Sequence, residues 1–198
     1  MSDVQVRPVR NRADSEERLI TAAAELLGEI GPRTVSVRMI AERAGVNHGL
    51  VHHYFGGKDG LLQAAMSRLV ADHATYARER SKGDPLPAPL ALVDDPSYLR
   101  AIVRAVLDGE LELARTEITE GVSVPRQALA YIAKSQGVDT PSIDLKARVA
   151  IGMAIEMGWA ALEPFIFAVT DSESLEDQEA LRRAARRLQI DISRAAFS

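Results

Sequence analysis

The sequence predicts an all-α protein in which an N-terminal three-helix unit with a helix-turn-helix precedes a larger helical bundle. Two observations carry this. Apolar residues recur at three- and four-residue spacing along nearly all of the 198 residues, and no run alternates convincingly at period two. Glycine and proline cluster at Gly31-Pro32, at Gly56-Gly57 and at Pro85, Pro87, Pro89 and Pro96, cutting the chain into segments of helical length.

The first helix is expected over about 14–29. Asp14 can cap it, with Glu17 closing a capping box. Leu19, Ala23, Leu26, Leu27 and Ile30 share one face before Gly31-Pro32 ends the helix. Thr34 or Ser36 caps a second, short helix that turns Val37, Ile40 and Ala41 inward and stops at Gly45. A third short helix begins near Asn47 and ends before Gly56. From 59 to about 80 a longer helix places Leu62, Met66, Leu69 and His73 on one stripe. The proline-rich segment 82–96 cannot be helical throughout and reads as a semi-rigid connector. Helices are expected beyond it at about 97–116, 125–135, 141–169 and 174–196.

Composition excludes several classes. With 46% hydrophobic and 26% charged residues the chain is globular, and its net charge of −4 argues against indiscriminate binding to nucleic acid. The absence of cysteine removes disulfides, thiolate metal sites and thiol nucleophiles, and suits a reducing cytosol. The opening MSDVQVRPVRNR has no apolar core of the kind a signal peptide needs. The apolar run 149–169 contains Glu156, Glu163 and Pro164, and two carboxylates near mid-bilayer cost about 2.5–3.5 kcal/mol each. No membrane anchor is expected, and a cytoplasmic location is.

Residues 36–55 carry the function. Two short helices joined by Ala-Gly-Val-Asn form a helix-turn-helix, with Gly45 at the turn and Val46 plugging the space between the helices. Ile40, Ala41, Val51 and Phe55 then face inward with Leu19, Ala23 and Leu26, leaving Asn47, His48, Leu50, His52, His53 and Tyr54 toward solvent or DNA. Lys and Glu are the ordinary occupants of a solvated face. As a major-groove reader the pattern makes chemical sense. Asn47 and the histidines can bond base edges, Gly49 admits close approach, and Leu50 can touch a thymine methyl. Tyr54 and Lys58, at the far end, suit phosphates.

The stretch TVSVRMIAERAGVNHGLVHHYFGGKDGLL resembles the DNA-binding domain of the TetR family of transcriptional regulators, over about residues 14–63. The resemblance implies a homodimeric repressor of a palindromic double-stranded DNA operator. Its divergent C-terminal domain would dimerise and bind a small-molecule effector. It assigns groove reading to Asn47, His48 and Gly49, phosphate contacts to Tyr54 and Lys58, and DNA contacts to Ser36 and Arg38. Leu50 stands where the family commonly has a small residue and His52 where it has tyrosine. Both departures bear on operator sequence rather than on mode of binding. A DNA-binding domain over 1–60 and a ligand-binding and dimerisation domain over 61–198 follow. Two recognition helices would enter successive major grooves about 34–36 Å apart. The helix beginning at 59 would relay the effector's binding to them.

Rival readings remain. The motif can serve as a purely structural element within a helical protein-interaction module that has no specific DNA binding. His48 and His52, four apart, have the spacing of a metal pair, but two imidazoles without a carboxylate or thiolate nearby are a weak signal for a site. No metal or cofactor is expected. Arg7, Arg10 and Arg12 form a basic arm able to reach the DNA backbone or minor groove, or simply to aid solubility. An enzyme is not expected. Gly57-Lys58 lacks the preceding glycine of a phosphate loop, and no histidine follows Ser123 to activate it.

In the back half, the helix 141–169 is apolar almost all round, with Glu156 and Glu163 within about 20° of each other on its surface. Such a helix needs partners on both sides. Gly152, Ala154, Gly158 and Ala161 allow close approach, and helix 174–196 adds Leu181, Ala184, Ala185, Leu188 and Ile192 opposite an outer face of Arg182, Arg183, Arg186 and Arg187. These two helices are the expected homodimer interface. Met66, Tyr98, Met153, Met157 and Trp159, with Tyr131 and Phe165, are adaptable side chains able to line an effector cavity. Glu156 and Glu163 either meet an arginine at the dimer seam or orient a cationic or hydroxylated effector.

Charge divides unevenly. Residues 1–60 hold 8 basic and 8 acidic side chains and residues 61–198 hold 16 and 20, so the acidic excess lies wholly outside the reading head.

Overall fold

A computed structural model describes residues 12–84 and 86–194. Among these residues every regular element is helical. The order is α1 (Arg12–Thr34), α2 (Val37–Ala44), α3 (Gly49–Phe55), α4 (Lys58–Arg80), a 3-10 turn (Ala91–Asp94), α5 (Pro96–Leu107), α6 (Leu111–Ala114), α7 (Thr116–Thr119), α8 (Val124–Ser135), α9 (Ile143–Val169) and α10 (Leu175–Arg194).

The stripe expected on the first helix is the stripe that is buried. Leu19, Ala23, Leu26 and Leu27 of α1 join Ile40 of α2, Val51 of α3, Leu61, Met66 and Val70 of α4, and Tyr98 and Ala101 of α5 in one continuous core. Each large aliphatic side chain so buried contributes about 1.5–3 kcal/mol. The reading head and the first helices behind it therefore share one interior. Helical geometry in α1 breaks at Gly31 (φ 79°), after which a further turn runs to Thr34. The end of α5 secures this break. Arg104 Nε donates to Gly28 O at 3.0 Å, and Asp108 accepts from Arg33 N at 3.1 Å. The expected capping box is not formed. Asp14 lies inside the first turn of α1, and Glu17 instead accepts from Arg68 of α4 at 2.9 Å.

The single helix expected over 97–116 is three. α5 stops at Leu107, and Gly109 takes a left-handed φ of 79°. The bonds Gly109 N to Val106 O and Glu110 N to Ala105 O then close a Schellman cap. The one-turn helices α6 and α7 follow. The segment expected to be a connector is pinned rather than free: Leu90 and Ala91, at the head of the 3-10 turn, are 1% and 6% exposed.

α9 and α10 form the far layer. Ser142 caps α9 by accepting from Leu145 N at 3.2 Å. Apolar over its length, α9 nevertheless buries only Leu145 and Phe167 within the chain, and its most apolar 18-residue stretch contains no buried residue. Ile151, Leu162, Phe165 and Val169 stay exposed, as do Leu188 and Ile192 of α10. By length and composition α9 could cross a membrane, yet both of its mid-helix carboxylates are bound inside the protein. Glu163 accepts from Arg182 of α10, so Arg182 turns inward to α9 and is not on the expected outer arginine face.

Candidate nucleic-acid interface

The turn between α2 and α3 is fixed at both ends by local bonds. Ser36 Oγ accepts from Met39 N at 3.3 Å and caps α2. At its other end Gly45 (φ 62°) and Val46 donate back to Glu42 O and Ala41 O, a second Schellman cap. A third layer comes from α1, whose Arg18 guanidinium donates to the carbonyls of Ala44 and Gly45. This orphan-carbonyl cap has no local sequence signal, because its donor lies 26 residues earlier.

Asn47 starts the third helix with its side chain. Its Oδ1 accepts from Gly49 N at 2.8 Å, and its backbone carbonyl accepts from Leu50 N at 3.0 Å. One end of the expected base reader is therefore committed to the turn, and the Nδ2 donors carry its remaining capacity. His48, Gly49, His52 and His53 are exposed, as is Arg38 in the first turn of α2. Leu50 departs from expectation. It is half-buried and packs on the shared core, one helical turn before the likewise half-buried Tyr54. Tyr54 is also half-buried. Its ring packs on that core, lies beneath the Arg12 guanidinium at 5.1 Å, and adjoins His53 at 5.3 Å. Arg7 and Arg10 lie outside the described residues.

Two glycines, Gly56 and Gly57, turn the chain into α4, whose first residue is Lys58. Gly60 sets how closely α3 and α4 approach. A Cβ there would come 2.0 Å from Phe55 O. Nothing in the helical pattern singled it out.

The electrostatics separate the two sides of the head. Glu25 and Glu29 of α1 hold Arg43, Glu17 holds Arg68, Glu16 holds Arg12 and Asp14 holds Arg18. The hydrogen bond from Arg43 keeps the Glu29 carboxyl below its ordinary value. Arg38 and Lys58, by contrast, pair with no carboxylate among the described residues. Neutralised charge thus lies along α1, while Arg38, in the first turn of α2, and Lys58, at the start of α4, keep their charge.

Of the residues expected to line an effector cavity, Met66, Tyr98 and Met157 meet in the shared core and Met153 does not. Met66 is fully buried in the core, Met157 packs against that core from α9, and Met153 is exposed. Tyr98 is buried, with its ring stacked on His73 at 3.8 Å and its hydroxyl donating to Glu117. Burial, reinforced by the Glu117 charge, pushes that hydroxyl far up, so it stays a donor. Trp159 Nε1 donates to Glu163 at 3.0 Å. Glu156 accepts from the backbone of Leu90 and Leu92 and from Gln189; burial raises its carboxyl, and these donors offset part of the rise. Two surface clefts are lined by other residues. One, of about 620 Å³, lies between α8 and the start of α9 beside Arg126, Leu129, Lys134 and Lys146. The other, of about 440 Å³, lies beside Asp94, Arg182, Arg183 and Arg186.

A capped turn that presents a short helix with exposed histidines defines a helix-turn-helix of the DNA-binding kind. Comparison with known proteins agrees. The profile of bacterial regulatory proteins of the tetR family matches residues 19–65. The HTH-type transcriptional regulator BetI 1 of Chromohalobacter salexigens is 34% identical over 120 residues, 60% of this chain and 51% of its own length. The chain thus spans about half of that relative. The HTH-type transcriptional repressor Rv3405c of Mycobacterium tuberculosis is 30% identical over 172 residues, 85% of this chain and 84% of its own. A tetR-family transcriptional regulator of Streptomyces coelicolor shares the fold, with a TM-score of 0.60 at 20% identity over 93% of this chain and 82% of its own. The chain belongs to the TetR family of DNA-binding transcriptional regulators.

Proposed function

We propose that the protein is a cytoplasmic, ligand-responsive repressor that binds a roughly palindromic operator as a homodimer and catalyses no reaction. Base edges are read by His48, His52, His53 and the free amide donors of Asn47, with Gly49 allowing close approach and Leu50 touching the groove only with the part of its side chain left exposed. Ser36, Arg38, Tyr54 and Lys58 hold the phosphates. A small-molecule effector binds behind the head, among side chains such as Met66, Tyr98, Met153, Glu156, Met157 and Trp159, and lowers operator affinity by favouring a different setting of α4.

The observation that carries the reading is the uncovered apolar surface of α9. A helix of this composition, left exposed at Ile151, Leu162, Phe165 and Val169, calls for a second layer. A second copy of the chain supplies one through a symmetric contact between α9 and α10 of each protomer. Selection from random duplex DNA, combined with the sedimented mass of the free protein and of the complex, tests this directly. The expected result is a palindromic motif bound by two copies. A monomeric protein that selects no motif would overturn the reading and favour a helical protein-interaction module.

A further inference from the structure

The turn between α4 and α5 is gripped from two sides. From α9, Glu156 Oε1 accepts from Leu90 N and from Gln189 Nε2, the latter at 2.6 Å, while Oε2 accepts from Leu92 N at 3.4 Å. From α10, Gln189 Oε1 accepts from the same Leu90 N at 3.1 Å. These bonds hold Leu90, 1% exposed, in a left-handed conformation (φ 55°) that a leucine adopts only when its surroundings impose it. The opposite side of the turn is bound to α4. Asp95 Oδ2 meets His73 Nδ1 at 2.9 Å, Tyr76 donates its hydroxyl to Ala91 O at 3.4 Å, and Arg80 Nη2 donates to Asp94 at 2.5 Å. His73, Tyr76 and Arg80 follow one another at helical spacing, so the last two turns of α4 lean on the turn as a stripe.

At 1.5 Å per residue the 23-residue α4 is about 34 Å long. Its first residue, Lys58, adjoins the end of α3, and its last turns are held by this strained segment. One continuous helix thus joins the gripped turn to the reading head.

We propose that Glu156 and Gln189 are positioning residues for operator binding: through the 3-10 turn they hold the far end of α4 and so set the spacing between the two recognition helices of a dimer. The inference rests on the homodimeric-repressor reading. It makes the α9–α10 layer responsible for the geometry of DNA binding as well as for association.

The test uses the full chain and the palindrome that it selects, together with duplexes whose half-sites are moved closer or farther apart by one or two base pairs. Glu156→Ala, Gln189→Ala and Arg80→Met should each remain dimeric and bind the best-spaced site about tenfold more weakly. Each should also flatten the preference among spacings, with affinity for an isolated half-site unchanged. Because the residues act in series, the double variant Glu156→Ala/Arg80→Met should be no weaker than the weaker single variant. Dimeric variants that keep the wild-type spacing preference, or losses that add in the double variant, would overturn the proposal. If Glu156→Ala fails to fold, Gln189→Ala and Arg80→Met decide by the same criteria. A wild-type chain that sediments as a monomer or selects no palindrome overturns the dimer reading, and this inference with it.

Discussion

Arg182 grips both carboxylate oxygens of Glu163, with Nε at 2.8 Å and Nη2 at 2.7 Å, and ties α10 to α9. Trp159 Nε1 shares one of those oxygens at 3.0 Å. Arg182→Ala leaves the half-buried carboxylate with the indole alone and should cost about 1–3 kcal/mol. Urea unfolding followed by Trp159 fluorescence measures that loss.

The same pair predicts a pH dependence. The Arg182 hydrogen bond holds the Glu163 carboxyl below its ordinary value. Its stabilising contribution is therefore complete above the ordinary carboxylate range and disappears as pH falls through the lowered value. Glu156 runs the other way. Burial raises its carboxyl, so stability from this group declines as pH rises from the ordinary range to the raised value. Glu163→Gln should therefore show a smaller drop in urea midpoint between pH 6 and 3 than the wild type. An equal drop in both would remove Glu163 as a source of acid sensitivity.

Much of the reading head was legible because its determinants are local. Ser36 three residues before Met39, Gly45 after Ala44, and the inward positions Ile40 and Val51 are all set within a few residues of one another. Asn47 was legible in place, whereas the bond that its Oδ1 accepts from Gly49 N, a turn contact, was not. The cap from Arg18 was hidden by a sequence separation of 26, and the contact of Glu156 with Leu90 by one of 66. Such pairings are decided by how helices stack, and periodicity carries no information about them. Gly109 shows a different limit. A glycine within an apolar helical pattern is compatible both with a continuous helix and with a left-handed cap, and the tertiary fit of α5 on α1 selected the cap.

Lys58 occupies the first residue of α4, where the positive end of the helix dipole disfavours a cation by about 0.3–1 kcal/mol. Lys58→Ala should leave stability unchanged or slightly raised. It should weaken DNA binding equally across sequences and lower the salt slope by about one unit per head. Binding isotherms at several salt concentrations, on operator and on random duplex, are the check. A loss confined to the operator would make Lys58 a base reader instead.

Asn47 and His48 are adjacent and exposed but should fail differently. Asn47→Ala removes the acceptor for Gly49 N and should cost about 1 kcal/mol of stability along with DNA affinity. His48→Ala should leave the unfolding midpoint unchanged and relax preference at one or two base positions. Urea unfolding with repeated random-sequence selection separates the two effects, and an unaltered motif from His48→Ala would exclude it as a reader.

Gly60→Ala tests the α3–α4 contact. The added methyl would lie 2.0 Å from the Phe55 carbonyl oxygen, which belongs to backbone and cannot rotate aside. The two helices must separate, at a cost of about 1–3 kcal/mol or more. Operator affinity should fall with stability because α3 is displaced. A wild-type unfolding midpoint would mean that the contact yields without cost.

Gly158 offers the opposite case on α9. Nothing lies within 4 Å of a Cβ built there, so within one chain a side chain meets open space and alanine gains about 0.8–1.0 kcal/mol of helix propensity. If a second copy covers this face, the same space is filled by the partner's helix. Gly158→Leu should then keep the chain folded while weakening association by about tenfold or more, equivalent to ~1.4 kcal/mol. Sedimentation across a concentration series reads the association directly. Affinity for the full palindrome should fall in step, while binding to an isolated half-site stays unchanged. An unaltered mass at every concentration would place the association surface away from Gly158, and the exposed side chains Ile151, Leu162 and Phe165 would then need a different covering.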